Sequence, residues 1–224
     1  MLTLALDTSG EICSVALFEG DRERITYTFR HERHLSERLP AIIEFVLSDG
    51  RTGLQDVEAF AVGLGPGSFT GVRIGVTMAK GFAWALGKPL VGVSSLDAVA
   101  LPFRSLPDTV IAAVTPTRRT EVVAAFYSGD WTAPIAEPAV VANADVVAAA
   151  ATHFPGQRIL ICGEAADLVL STTSEDSNNP RIEARFTYPS AAAIARLASL
   201  RLSRGESDNT EALVPLYVTP TPVG

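Results

Sequence analysis

Three short stretches hold the residue types that could do chemistry. Asp7-Thr8-Ser9 sets a carboxylate beside two hydroxyls, a group able to face a metal ion or a phosphate. The same three residues also suit an Asx-type turn, in which Asp7 bonds its own backbone. His31-Glu32-Arg33-His34 has the look of a zinc-protease helix. Such a helix needs H-E-x-x-H, with the histidines four apart on one face. Here they are three apart, so solvated or capping roles are expected. The third stretch, GLGPGSFTGVRIG, runs from Gly63 to Gly75. It reads as a tight turn into a helix capped by Ser68, and a helix N-terminus can hold an anion. It matches neither G-x-x-x-x-G-K-[ST] nor G-x-G-x-x-G, so a structural turn is expected there.

Other candidates are weaker. Asp97 and Glu121 could join Asp7 around two metal ions, as in a nuclease, but no spacing forces them together. Cys13 and Cys162 lie far apart in apolar segments and read as buried thiols, not metal ligands. No metal site is expected, and no G-x-S-x-G elbow is present.

The elements that must position these residues follow from periodicity. Leu2, Leu4 and Leu6 alternate with smaller or polar residues, a strand pattern. Ile12–Phe18 returns as its hairpin partner, and Ile25, Tyr27 and Phe29 mark a third strand. Leu35, Leu39, Ile42, Ile43, Val46 and Leu47 then follow helical spacing. Pro40 fits there only if that helix starts near Ser36. Val57–Gly63 is a strand, Ser68–Leu86 a helix and Pro89–Ser94 a strand, with a short helix capped by Ser95 or Asp97. The order β-β-β-α-β-α-β-α resembles the ribonuclease-H-like arrangement of actin-like and sugar-kinase-like proteins. In those folds the first hairpin carries an acid and hydroxyls near the phosphates.

The second half repeats this loosely. Strands are expected at Thr109–Val114, Glu121–Tyr127 and Arg158–Ile161. Helices are expected at Asp145–Phe154, Gly163–Leu170 and Ala191–Leu202, the last capped by Ser190. Ser171–Pro180 reads as a polar loop. The expected class is therefore α/β, with two related lobes at 1–104 and 105–224.

Composition narrows the partners. The chain has 224 residues, 47% of them hydrophobic, enough to build a core without staples. Its net charge is −7, with lysine only at 80 and 88 and scattered arginines. A stand-alone nucleic-acid binder needs a basic stripe, so this acidic chain is expected to be a poor one. No apolar run reaches the roughly 18 residues of a membrane span, and MLTLALDTSGE lacks a signal peptide's basic start. A soluble cytoplasmic protein is expected.

Within the Ser68–Leu86 helix, Gly67, Gly71, Gly75, Ala79 and Ala83 recur every four residues. Each internal glycine costs about 0.5–1 kcal/mol relative to alanine, so a compensating close contact is required. That contact could lie within the chain or with another chain.

In order and spacing, LALDTSGEICSVAL, the His34–Pro40 stretch, GLGPGSFTGVRIG and PLVGVSSLDA resemble the bacterial TsaB (YeaZ) family. The likeness is close over the first hundred or so residues and loose beyond. It implies the actin-like/kinase-like fold shared with TsaD and Kae1, and a non-catalytic subunit, not an enzyme. Proteins of this family pair with TsaD, and the ATPase TsaE joins them. The assembly moves threonylcarbamoyl from threonylcarbamoyl-adenylate to N6 of the adenosine beside the anticodon, in tRNAs reading codons that start with A. The resemblance implies no tightly bound cofactor here, ATP/ADP and metal on the partners, and only indirect contact with tRNA. It implies a heterodimer through the N-terminal helices, or a homodimer through the same surface. That surface would map to Leu39, Ile43, Val46, Gly71, Val72, Gly75, Val76 and Ala79. Asp7, Thr8 and Ser9 would be a vestigial nucleotide hairpin. The catalytic relative carries H-x-x-x-H, whereas here Arg38 stands four after His34. The second half departs from the family at Pro116, Val123 and Thr219, and leaves open whether Arg118 or Arg119 touches RNA. The alternative, an independent ATP-dependent phosphotransferase or metalloprotease-like hydrolase, rests on fold analogy alone.

Overall fold

The structure is a computed structural model that describes residues 1–30, 34–128, 133–173 and 181–218. It divides into two compact units. The first joins Met1–Ala98 to Pro189–Leu216, and the second is Val99–Tyr188 with the chain from Tyr217 on.

The first unit is built on strands β1 (Leu2–Asp7), β2 (Ile12–Glu19), β3 (Arg22–Arg30), β4 (Ala59–Gly63) and β5 (Leu90–Val93). They form one sheet in the order β3-β2-β1-β4-β5. The first three pair antiparallel, while β4 and β5 run parallel to β1. Alternation places Leu2, Leu4, Leu6, Val15 and Leu17 on one face, where α1 (Leu35–Asp49) and α2 (Phe69–Leu86) close the core. Pro40 falls in the second turn of α1, not the first, because the helix begins at Leu35.

The opposite face of this sheet is covered by α6 (Ala191–Leu202), where the Ala191 N–H donates to Ser14 Oγ at 2.7 Å. Thr3, Ala5, Ser14 and Ala16 are small and buried, so an alanine-rich helix can approach closely. This corrects the expected division at 104/105. Periodicity identifies α6 as a helix, with Ser190 capping the Ala193 N–H at 3.1 Å. It does not say which sheet the helix covers, and residues 189–216 fold into the first unit.

The second unit repeats the topology. Its strands are β6 (Thr109–Arg118), β7 (Glu121–Tyr127), β8 (Ala139–Ala142), β9 (Arg158–Gly163) and β10 (Ile182–Arg185), in the order β10-β9-β6-β7-β8. Their parallel and antiparallel pairings match those of the first sheet. Helices α4 (Val146–His153) and α5 (Ala166–Thr172) take the places of α1 and α2. The chain passes between the units within α3 (Ser95–Ala100). No helix among the described residues is long and apolar enough to cross a membrane.

Past α6 the chain straps the free edge of β5. The Asp208 N–H donates to the Leu90 carbonyl at 2.8 Å, and Asp208 Oδ2 accepts from the Gly92 N–H at 2.7 Å. Arg201 grips the same carboxylate through both Nη atoms, at 2.7 and 3.1 Å. Lys80 Nζ donates to the Glu211 and Leu213 carbonyls. Covering an edge in this way blocks pairing with another chain. Burial pushes the Asp208 carboxyl up, but the Arg201 guanidinium and the Gly92 N–H outweigh it and hold the group below the usual range. Stability from a depressed carboxylate is present at neutral pH and lost as pH falls through the folded-state value. Asp208→Ala is therefore expected to lower unfolding free energy by about 1–2 kcal/mol at pH 7, the low end for charged hydrogen bonds at a partly solvated site. In urea titrations the difference from the parent chain should shrink below about pH 4, where the unfolded-state carboxyl protonates.

Candidate functional site

Asp7 ends β1 wholly buried. Its Oδ1 accepts from the Ser9 N–H at 2.9 Å and from Ser9 Oγ at 2.7 Å, the Asx-type turn. Its Oδ2 accepts from Ser95 Oγ at 2.8 Å, and that oxygen in turn accepts from the Gly65 N–H at 3.1 Å. Both carboxylate oxygens are thus engaged by hydroxyls and a backbone amide of the same chain. Sequence reasoning gave Ser95 only a capping role. The signal for more is its place just past the end of β5, a strand parallel to and two removed from β1.

The GPGSFTG segment is pressed onto this hairpin. After the cis Gly65–Pro66 bond, Ser68 caps α2 by accepting from the Gly71 N–H at 3.2 Å, while its own N–H donates to the Ser9 carbonyl at 2.6 Å. Thr8 Oγ1 donates to the Gly71 carbonyl at 2.7 Å. A Cβ at Gly67 would collide with the Ser9 carbonyl, one at Gly71 with the Thr8 carbonyl, and one at Gly75 with Thr8 Oγ1. A Cβ at Gly63 would strike Asp7 Oδ2. The row of glycines is the imprint of the chain's own hairpin.

This corrects the expected partner interface. Leu39, Ile43, Val46, Val72, Val76 and Ala79 are at most 3% exposed, and Gly71 and Gly75 are buried with them. The physical reason is the four-residue repeat, which puts Gly71, Gly75, Ala79 and Ala83 on the buried side of α2, where Gly71 and Gly75 meet Thr8. The large apolar residues are left on the outer side. Phe69 is 56% and Trp84 75% exposed, and Phe45 on α1 is 51% exposed. Ile74, Met78 and Phe82 are half-buried along a groove of about 670 Å³ that reaches Ser36. The Arg73 guanidinium lies 3.7 Å over the Phe69 ring at its rim, a cation–π stack.

Among the described residues, no three of the histidines, cysteines and acids are grouped so as to hold a metal ion. His34 is exposed, 3.4 Å from Glu37 Oε1 in front of α1, and His31 lies outside the described residues. Glu121 belongs to the other unit and pairs with Arg118 at 3.5 Å. Pro116 sits opposite Val122 in the β6–β7 pairing, Val123 is buried, and Thr219 lies outside the described residues. Cys13 and Cys162 are buried thiols in no disulfide, and burial pushes Cys162 far up.

The hairpin contact makes a graded test. Gly75→Ala meets a side-chain oxygen and should cost about 1–3 kcal/mol, whereas Gly71→Ala meets backbone and should cost more. Gly81→Ala, on the outer side with nothing within 4 Å, should stabilise by about 0.5–1 kcal/mol. Thermal and urea unfolding of the three variants check this order.

Comparison with known proteins follows the same lines. The family model for TsaD, described as tRNA N6-adenosine threonylcarbamoyltransferase, matches residues 30–221. The Escherichia coli tRNA threonylcarbamoyladenosine biosynthesis protein TsaB is 38% identical over 131 residues, 58% of this chain and 56% of that protein. The chain spans about half the length of the curated TsaB relatives that it matches. The solved structure of YeaZ from Pseudomonas aeruginosa superposes with a TM-score of 0.82 at 28% identity, covering 97% of this chain and 99% of that one. A dehydratase activator from Clostridium difficile, 12% identical, superposes with a TM-score of 0.52 over 93% of this chain and 99% of that one, a likeness of fold alone. With the hairpin, the glycine imprint and the doubled β-β-β-α-β-α-β topology on one chain, the protein belongs to the TsaB/YeaZ family of TsaD-type proteins.

Proposed function

We propose that this chain is a non-catalytic subunit in the biosynthesis of threonylcarbamoyladenosine in tRNA, acting in the cytoplasm by docking a TsaD homologue. The names of its TsaB relatives support the pathway. The observation that carries the subunit role is the outer side of α2. A helix on the surface of an independent enzyme has little reason to expose Phe69 beside an apolar groove and Trp84 further along. Exposed aromatics with an arginine at the rim are the residue types that anchor protein interfaces. TsaE joins the pair, ATP/ADP and metal belong to the partners, and the complex delivers threonylcarbamoyl from its adenylate to N6 of the tRNA adenosine. With a net charge of −7, this chain leaves most phosphate contacts to TsaD. A homodimer through the same groove competes with the heterodimer.

The non-catalytic reading draws support from Asp7. A carboxylate that serves a phosphate-bound metal must present an oxygen to it. Here the two oxygens are turned to Ser9 and Ser95, with the Gly63 backbone pressed against Oδ2.

The test is size-exclusion co-elution with the cognate TsaD homologue, with and without TsaE. Thr77→Arg and Gly81→Arg each place a long cation on the exposed side of α2 without touching the core. Each is expected to weaken the complex at least tenfold or so, since a buried unpaired charge costs more than 1.4 kcal/mol, while the melting temperature holds. Parent-like affinity in both variants would remove the groove from the interface. Absence of any complex at micromolar concentration would remove the subunit role.

A further inference from the structure

The chain that straps β5 changes character along its length. Residues 203–211 read SRGESDNTE, polar apart from Gly205, while residues 213–218 read LVPLYV and carry no charge. A polar cover suits a sheet edge that faces water. The apolar stretch is not all turned inward. Leu213 packs on the core of the first unit, where it and Leu64 fill the space beside Gly92. Val214, the next residue, is 63% exposed, and Leu216 is 41% exposed. Scattered exposed apolar residues are ordinary, but these two stand beside others on α2.

Helical spacing puts Phe69, Arg73, Lys80 and Trp84 on one side of α2. Lys80 Nζ donates to the Glu211 and Leu213 carbonyls at 3.0 and 2.9 Å, so the strap lies along that side. Further on, the Leu216 N–H donates to the Leu64 carbonyl at 2.8 Å, just before the turn into α2. Val214 is carried between these two ties. The backbone here is also ready to be covered. The Glu211 and Ala212 N–H groups donate to Asn209 Oδ1 at 2.9 and 3.1 Å, and the Leu213 N–H to the Asn209 carbonyl at 2.9 Å. Pro215 has no N–H to leave unpaired. A second protein laid over this stretch strands few backbone donors, the usual obstacle to burying irregular chain.

We propose that the strap is part of the docking surface, with Val214 and Leu216 meeting an apolar face of the same partner that covers α2. This rests on the docking role proposed above for α2 and extends it to a segment 131 residues away in sequence from Lys80. Continuity selects that occupant. A partner that spans Phe69 to Trp84, about 22 Å along the helix at 1.5 Å per residue, passes Lys80 and the strap bonded to it. At that junction the Lys80 ammonium is turned to backbone carbonyls, so no carboxylate on the partner is required to cover it. Leu213 and Lys80 then serve as the anchors that hold Val214 and Leu216 in place before the partner arrives, which lowers the ordering cost of docking.

The experiment measures the Kd of the full chain for the cognate TsaD homologue by calorimetry, in the parent and in Val214→Glu, Leu216→Glu and Ser207→Glu. Each variant adds one negative charge at an exposed position, so the melting curves should stay close to the parent's. Val214→Glu and Leu216→Glu are expected to weaken binding by about tenfold or more, the effect of burying an unpaired charge. Ser207→Glu, on the polar stretch, is expected to stay within about twofold of the parent. The unmutated chain supplies a second measurement that no folding defect can disturb. Its Val214 and Leu216 methyls should become shielded from a soluble paramagnetic agent when the partner saturates it. A parent complex in which both strap variants bind like the parent and those methyls stay open would overturn the inference and leave α2 docking in place. Equal weakening by all three variants would overturn it too, as an effect of net charge alone. If the parent forms no complex, the docking role of α2 fails and this extension fails with it.

Discussion

The rest of the first unit depends on one close approach, that of helix α2 to the turn between β1 and β2. Glycines at 67, 71 and 75 have no side chain because the Ser9 carbonyl, the Thr8 carbonyl and Thr8 Oγ1 stand where their Cβ atoms would be. Two internal glycines weaken a helix by about 0.5–1 kcal/mol each. The hydrogen bonds from Thr8 Oγ1 to the Gly71 carbonyl and from the Ser68 N–H to the Ser9 carbonyl offset that loss. They also pin the hairpin, so that Asp7 is turned to Ser9 and Ser95 instead of outward. With Gly71, Gly75, Ala79 and Ala83 committed inward, α2 carries its large apolar residues Phe69, Ile74, Met78 and Phe82 on the other side. The exposed groove along Phe69, Ile74, Met78 and Phe82 follows from the packing that buries the glycines.

The same contact fixes the polar groups of the first hairpin within an actin-like/kinase-like topology. The chain superposes on the dehydratase activator with a TM-score of 0.52, a likeness of fold. A carboxylate oxygen that accepts from Ser95 Oγ, at the start of α3 just past β5, works as a tie between β1 and the end of β5. Fold likeness here transfers architecture and no activity, while the outer side of α2 carries the functional reading.

Much of this was legible in the sequence. The first hairpin, the helix after GPGSFTG with Ser68 as its cap, and the Ser190 cap of α6 follow from alternation, helical spacing and turn chemistry, which are local. The duplicated lobes were legible as class and not as detail. Strands β8 and β10 have four residues each and are partly exposed edges, too short for a period of two to stand out. The direction in which the glycine row faces was not legible. A four-residue repeat requires a close neighbour and is silent about which one, so Gly71 and Gly75 read equally as internal and as interfacial. The assignment of α6 failed for a related reason: an alanine-rich helix fits any face lined by small residues, and Ala5, Ser14 and Ala16 supply one far away in sequence.

The most direct measurement uses methyl-labelled chain in the presence of a soluble paramagnetic relaxation agent, alone and saturated with the TsaD homologue. In the free chain the methyls of Ile74 and Met78 should relax quickly and those of Val72 and Val76 slowly, because the first pair lines the groove and the second is 3% exposed. On addition of TsaD, Ile74 and Met78 should become protected while Val72 and Val76 stay as they were. Fast relaxation of Val72 and Val76 in the free chain, or groove methyls still open to the agent in the saturated complex, would contradict the assignment of an inner and an outer side to α2.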